Sequence, residues 1–144
     1  MFRRIFSSDE ISFDFGIFLA RLGVGLSVVM FHGWDKITGG PELWTKIGAN
    51  MELVHITWYP VVWGFMAAFA ESVCAALIVV GVLFRPAALL LAFTMFVAVM
   101  RHLNLPADNP NHGWSGASHA LELMSVCLCF FFSGPGKFSL TPRG

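Results

Sequence analysis

The chain has 144 residues, of which 56% are hydrophobic and 12% charged, and its formal net charge is zero. Soluble domains carry about a quarter charged residues, so this composition favours a protein built for a lipid bilayer. A neutral chain also argues against nucleic acid as a partner. The length suits one compact domain, and we expect residues 1–144 to form it.

Four apolar segments are long enough, or nearly so, to cross a bilayer, which takes about 20 helical residues. They cover residues 13–34, 58–83, 86–102 and 117–133. Gly81 and the corner at residues 84–86 predict a tight antiparallel hairpin between the second and third segments, since Pro86 suits the first turn of a helix. The sequence therefore predicts an all-α integral membrane four-helix bundle with up-down-up-down order.

The connection between the first and second segments predicts a further helix over about residues 41–55. Pro41 follows two glycines and suits a helix start, and Leu43, Ile47 and Met51 recur at helical spacing. We expect this amphipathic helix to lie at the membrane interface, across the mouth of the bundle. The loop after residue 103 is rich in Pro, Asn, Asp and Gly, and we expect an ordered but irregular lid there.

Lysines and arginines outside the apolar segments or at their ends predict the orientation, because cytoplasmic loops carry an excess of them. Five of these residues lie on the side of the two termini and three on the opposite side. The first group is Arg3, Arg4, Arg85, Lys137 and Arg143, and the second is Lys36, Lys46 and Arg101. We therefore expect a multi-pass protein with both termini in the cytoplasm.

Glu71 lies in the middle of the second apolar segment, where a charged side chain costs about 2.5–3.5 kcal/mol. Arg21 lies in the first segment at a similar expected depth, to within about one helical turn. The sequence therefore predicts a buried Arg21–Glu71 ion pair. Two interpretations stay open: the pair fixes how two helices pack, or Glu71 is a proton carrier whose proton affinity depends on Arg21.

A second group of polar side chains is expected near the outer ends of the helices, with His119 and Glu122 three residues apart on one helix face. Its members are His32, His102, His119 and Glu122, with Lys36, Trp34 and Trp114 just above them. They could line a pocket for a quinone or similar redox ligand, where imidazole and carboxyl groups bond its carbonyl oxygens and tryptophans cover its ring. Alternatively, His32, His102, His119 and Glu122 ligate a metal, or these residues hydrogen-bond at helix ends without a ligand.

Several motifs resemble those of the DoxX family of small four-helix membrane proteins, over nearly the whole chain from about residue 13. They are RLGVGL (21–26), FHGWDK (31–36), AES (70–72), LIVVGVLFRP (77–86) and GPGKFSL (134–140). Carried over by position, Arg21, His32, Lys36 and Glu71 fall on the recurring polar sites of the family. Thr141 departs from the pattern, because an Asp often follows the closing Ser-Leu.

The resemblance implies a protein of the bacterial inner membrane that is linked to redox metabolism. Some relatives are subunits of thiosulfate:quinone oxidoreductase, and others join membrane complexes that handle thiol and oxidative stress. No motif in this chain is typical of a haem, flavin or iron–sulfur site, so electrons would come from a partner protein. We expect a quinone-binding subunit, and the alternatives are a non-catalytic accessory subunit of a respiratory or photosynthetic complex, or an intramembrane metal-binding protein.

Overall fold

The structure is a computed structural model that describes residues 12–141. Within this range the chain is helical and contains no strand. The helices are α1 (Phe13–Thr38), α2 (Gly40–Gly48), α3 (Pro60–Val80), α4 (Phe84–Leu103) and α5 (Gly113–Ser133). A 3₁₀ turn at Ala49–Val54 continues α2, so the predicted helix between the first two spans is present.

Four of these helices, α1, α3, α4 and α5, are long and apolar enough to cross a membrane. The prediction of an all-α membrane bundle is confirmed. The observed helix ends differ from the predicted ones by a few residues, and the difference matters most in α1. This helix continues to Thr38, and it therefore carries Lys36 within its length, where the sequence had placed that lysine above the bundle.

The core forms where α4 packs along α5 and where the other side of α4 meets α3. Small residues let these helices approach closely, and larger apolar side chains fill the space between them. The buried set includes Ala75, Ile78, Ala88, Leu91, Cys127 and Phe130. In addition, α2 packs against the first half of α3. The first half of α1 packs against the last turns of α3.

The two ends of the bundle differ in construction. The end that carries α2 and the loop after α4 is called the α2 end. The opposite end, called the closing end, is covered by residues 134–141, where the backbone N–H of Leu140 donates to Val80 at 3.0 Å. There Lys137 pairs with Asp14 at 3.2 Å, so the closing segment is attached to both α1 and α3.

The orientation in the membrane stays a prediction. Arg3, Arg4 and Arg143, which contributed to it, lie outside the described residues. Of the remaining cations, Arg85 and Lys137 lie at the closing end and Lys46 and Arg101 at the α2 end, as expected. Lys36, which was counted outside the spans, lies within α1.

Candidate functional site

The helices α1 and α3 each contain one π-helical turn, and the two turns face each other. They span Val29–Gly33 and Ala70–Cys74. Gly33 lies directly against the backbone of Glu71, and a Cβ atom at this position would collide with the Glu71 carbonyl group. π-Helical turns are rare in proteins, and those that occur are often found at functional sites. Here they bring the two helices into close contact at the buried carboxylate.

Glu71 forms an ion pair with Lys36 of α1, with Nζ and Oε2 2.5 Å apart. The side chain of Glu71 is 4% exposed and that of Lys36 is 31% exposed. The indole N–H of Trp44 in α2 donates to the carbonyl oxygen of Lys36 at 2.7 Å, which ties α2 to the same turn of α1. The pair is therefore buried on the carboxylate side and reached by solvent or a ligand on the ammonium side.

The predicted Arg21–Glu71 ion pair is wrong. Arg21 is buried at the closing end, where its guanidinium donates to the carbonyl oxygens of Pro135, Val79 and Phe138. Val79 lies eight residues after Glu71 in α3, a rise of about 12 Å along a helix axis. The sequence assigned the two charges similar depths because α1 was expected to end at residue 34.

A polar cavity of about 290 Å³ lies beside the Lys36–Glu71 pair, between α1, α4 and α5. Its polar lining consists of His32, Lys36, Glu71, Arg101, His102 and His119. The rings of His32 and His119 are 5.5 Å apart between centroids and tilted by 37°. Neither ring has a hydrogen-bond partner among residues 12–141, so the structure leaves their nitrogens available to a bound molecule.

His102 is oriented by the loop that follows α4. Its Nδ1 lies 2.9 Å from the carbonyl oxygen of Asn111. Because a carbonyl oxygen can only accept, Nδ1 carries the hydrogen, and Nε2 of the neutral ring is an acceptor. The cavity thus combines an oriented imidazole acceptor with two imidazoles that can each donate or accept.

Three predicted site residues lie elsewhere. Trp34 and Trp114 are exposed and line neither of the two cavities described here. Glu122 is also exposed and outside the polar cavity, although His119, three residues earlier, lines it. The structure therefore brings together His32, His102, His119 and Lys36 of the predicted ligand-binding set, and adds Glu71 to them.

Sequence reasoning missed Arg101 as a cavity-lining residue and counted it only among the cations opposite the termini. Arg101 lines the polar cavity and a second, larger cavity of about 500 Å³ between α2, α3 and α4. The two cavities share Lys36, Glu71 and Ala98 as well. The signal available in the sequence was the apolar face of α2, which predicted a helix across the mouth of the bundle and hence an enclosed space beneath it.

Residues 12–141 contain no group of three or more His, Cys, Asp or Glu side chains that could hold a metal ion. The four residues of the metal alternative are divided, with Glu122 outside the cavity that the three histidines line.

Comparison with known proteins gives one family. The family model described as DoxX matches residues 16–103, which include α1 from its second turn, α2, α3 and α4. No curated protein and no solved structure matches the chain.

Proposed function

Because this chain belongs to the DoxX family of membrane proteins, we propose that it is the membrane subunit of a redox system. In this proposal the polar cavity binds the ring of a quinone or a similar redox ligand. The observation that carries it is the pair of imidazoles, His32 and His119, which line the cavity 5.5 Å apart without a hydrogen-bond partner in the described chain.

The size and lining of the cavity support a ring-shaped ligand. Ligand pockets have volumes from about 300 Å³, and the polar cavity, at about 290 Å³, suits one substituted ring. Val28, Met95 and Leu123 supply apolar walls, which can cover the faces of a quinone. The imidazoles supply N–H groups for its two carbonyl oxygens.

Reduction of a quinone to a quinol takes two electrons and two protons. The imidazoles can each deliver a proton to a carbonyl oxygen, while the electrons come from a partner protein. Glu71 is the candidate proton relay, since it lines both cavities and contacts Lys36. Arg21, which the sequence assigned to this relay, instead holds the closing end together.

The test is binding of ubiquinone-1 to the purified protein in detergent, measured by equilibrium dialysis. We expect His32→Phe and His119→Phe each to weaken binding by about tenfold, because each loses one hydrogen bond to the ligand. His55→Asn is the matched control, since His55 is exposed and outside both cavities. Unchanged binding in a folded His32→Phe/His119→Phe double variant would refute the proposal.

The accessory-subunit alternative is favoured by Glu122. This residue is the tenth of 21 in α5, its side chain is exposed, and it has no ion pair within the described residues. Ser115, Ser118 and Ser125 are also exposed and share its helix face. A charge at mid-span costs about 2.5–3.5 kcal/mol against lipid, so a protein partner would stabilise this face.

This alternative predicts that Glu122→Leu shifts the protein from a larger species to its free form on native gels of solubilised source membranes. Quinone binding would stay unchanged, because Glu122 does not line the polar cavity. Glu52→Leu, at an exposed acid in the 3₁₀ turn after α2, is the control. An unchanged band pattern for Glu122→Leu would remove the support that this residue gives.

A further inference from the structure

The larger cavity, of about 500 Å³, has an apolar wall and a basic end. The wall is formed by Leu43, Ile47, Met51, Trp63, Phe93 and Val97. Its volume lies within the range of ligand pockets, about 300–1,000 Å³. Unlike the polar cavity, it has no histidine in its lining, so it offers no imidazole for proton exchange with a redox ring.

The ionisable groups of the larger cavity carry an excess of positive charge. Its lining contains Lys36, Lys46 and Arg101 but one carboxylate, Glu71, which is paired with Lys36. Neither Lys46 nor Arg101 forms an ion pair with any residue between 12 and 141. Two positive charges are therefore left for a ligand.

The two free cations both lie at the α2 end of the bundle. Lys46 lies in the last turn of α2 and Arg101 in the last turn of α4. From Arg101 the α4 part of the apolar wall extends into the bundle, because Val97 and Phe93 lie about one and two helical turns before it. This arrangement matches a molecule with an acidic head and an apolar chain.

A further unsatisfied donor belongs to the same lining. The indole Nε1 of Trp63 is buried and has no acceptor in the described part of the chain. A buried N–H group without an acceptor destabilises a protein. A bound molecule with acceptor oxygens would supply one.

We propose that the larger cavity binds an anionic amphiphile with one apolar chain, its acidic head held by Lys46 and Arg101 and its chain packed on the α2, α3 and α4 wall. The head is a carboxylate or a phosphate, as in a fatty acid or a lysophospholipid. This site adjoins the proposed quinone site, with which it shares Arg101 and the Lys36–Glu71 pair, but Lys46 and the apolar wall belong to it alone.

The test uses 9,10-dibromostearate, whose bromine atoms quench tryptophan fluorescence on contact. Trp34, Trp58 and Trp114, all exposed, are replaced by Phe, which leaves Trp44 and Trp63. We expect saturable quenching by dibromostearate in delipidated detergent-solubilised protein. The uncharged 9,10-dibromostearyl alcohol should bind at least about tenfold more weakly, because it lacks the charge-assisted contacts.

Lys46→Gln in this background should weaken dibromostearate binding by about tenfold, through the loss of one charge-assisted contact. The alcohol should be unaffected. Lys137→Gln, at an exposed lysine of the closing end, is the matched control. Ala67→Phe, which fills the cavity from α3 without changing a charge, should abolish quenching by the acid.

The two heads are distinguished by competition, since palmitate and lysophosphatidic acid of equal chain length displace dibromostearate at different concentrations if one head is preferred. Equal quenching by the acid and the alcohol would overturn the proposal. Dibromostearate binding that is unchanged in Lys46→Gln, or unchanged in Ala67→Phe, would also overturn it. Lys46 lines the larger cavity but not the polar cavity. A Lys46→Gln effect on dibromostearate but not on ubiquinone-1 therefore separates this site from the proposed function.

Discussion

Removing the ammonium of Lys36 should destabilise the protein because it leaves the Glu71 carboxylate, 4% exposed, without its cation. Loss of one partner from a buried ion pair costs about 3–5 kcal/mol. The Lys36 side chain is 31% exposed, so solvent screens part of the attraction, and about 2 kcal/mol is expected for Lys36→Met. For a chain of this size that corresponds to a fall in Tm of roughly 4–8 °C.

The double variant Lys36→Met/Glu71→Gln should recover part of this loss, because it removes the uncompensated charge. Glu71→Gln alone should cost about 1 kcal/mol, since the freed lysine can turn towards solvent. If the double variant costs about as much as Glu71→Gln alone, the coupling free energy between the two residues is about 2 kcal/mol. Such a value would identify Lys36 as the partner of Glu71.

The assay is thermal unfolding of the detergent-solubilised protein, followed by circular dichroism for the wild type and the three variants of the cycle. Lys137→Met is the control, because the Lys137–Asp14 pair is exposed on the lysine side and should contribute only about 0–1 kcal/mol. A stabilising Lys36–Glu71 pair is ruled out if Lys36→Met is no more destabilising than Lys137→Met, or if the two changes of the cycle are additive.

Two further predictions concern the helix contacts around this pair. Gly33→Ala should lower Tm by several degrees and weaken ubiquinone-1 binding, because its Cβ would collide with the Glu71 backbone. Gly23→Ala, in open space on the same helix, should instead stabilise by about 0.5–1 kcal/mol, and equal Tm changes for both would contradict the close contact. Arg21→Lys should cost about 3 kcal/mol, since an ammonium cannot reproduce a fork that bonds three carbonyl groups. In chemical unfolding, the free-energy changes of Arg21→Lys and Glu71→Gln should add to within about 0.5 kcal/mol. A larger coupling free energy between the two residues would instead support the ion pair that the sequence predicted.

The sequence predicted the residues of the polar cavity better than their pairing. Placing His32, His102 and His119 at one level required only the direction of each helix and the rise per residue. The prediction of Arg21 as the partner of Glu71 was wrong because the sequence does not show where α1 ends. Extending this helix by one turn brings Lys36 level with the carboxylate and leaves Arg21 at the closing end.

The outward position of Glu122 has a similar cause. His119 and Glu122 are three residues apart, which corresponds to about 300° around a helix of 3.6 residues per turn. A difference of about 60° is small enough for one shared face, yet it lets His119 line the cavity while Glu122 lies outside it, although both residues are exposed. Which of the two lines the cavity depends on the rotation of α5 against α4.

The sequence by itself determined the four spans, the helix between the first two and the family, because hydrophobic length and local motifs are properties of contiguous residues. The tertiary structure alone decided which charges meet and how large the two cavities are. Both depend on the depth and rotation of helices that are distant in the chain, and the close contacts at Gly33 and in the buried core set these values.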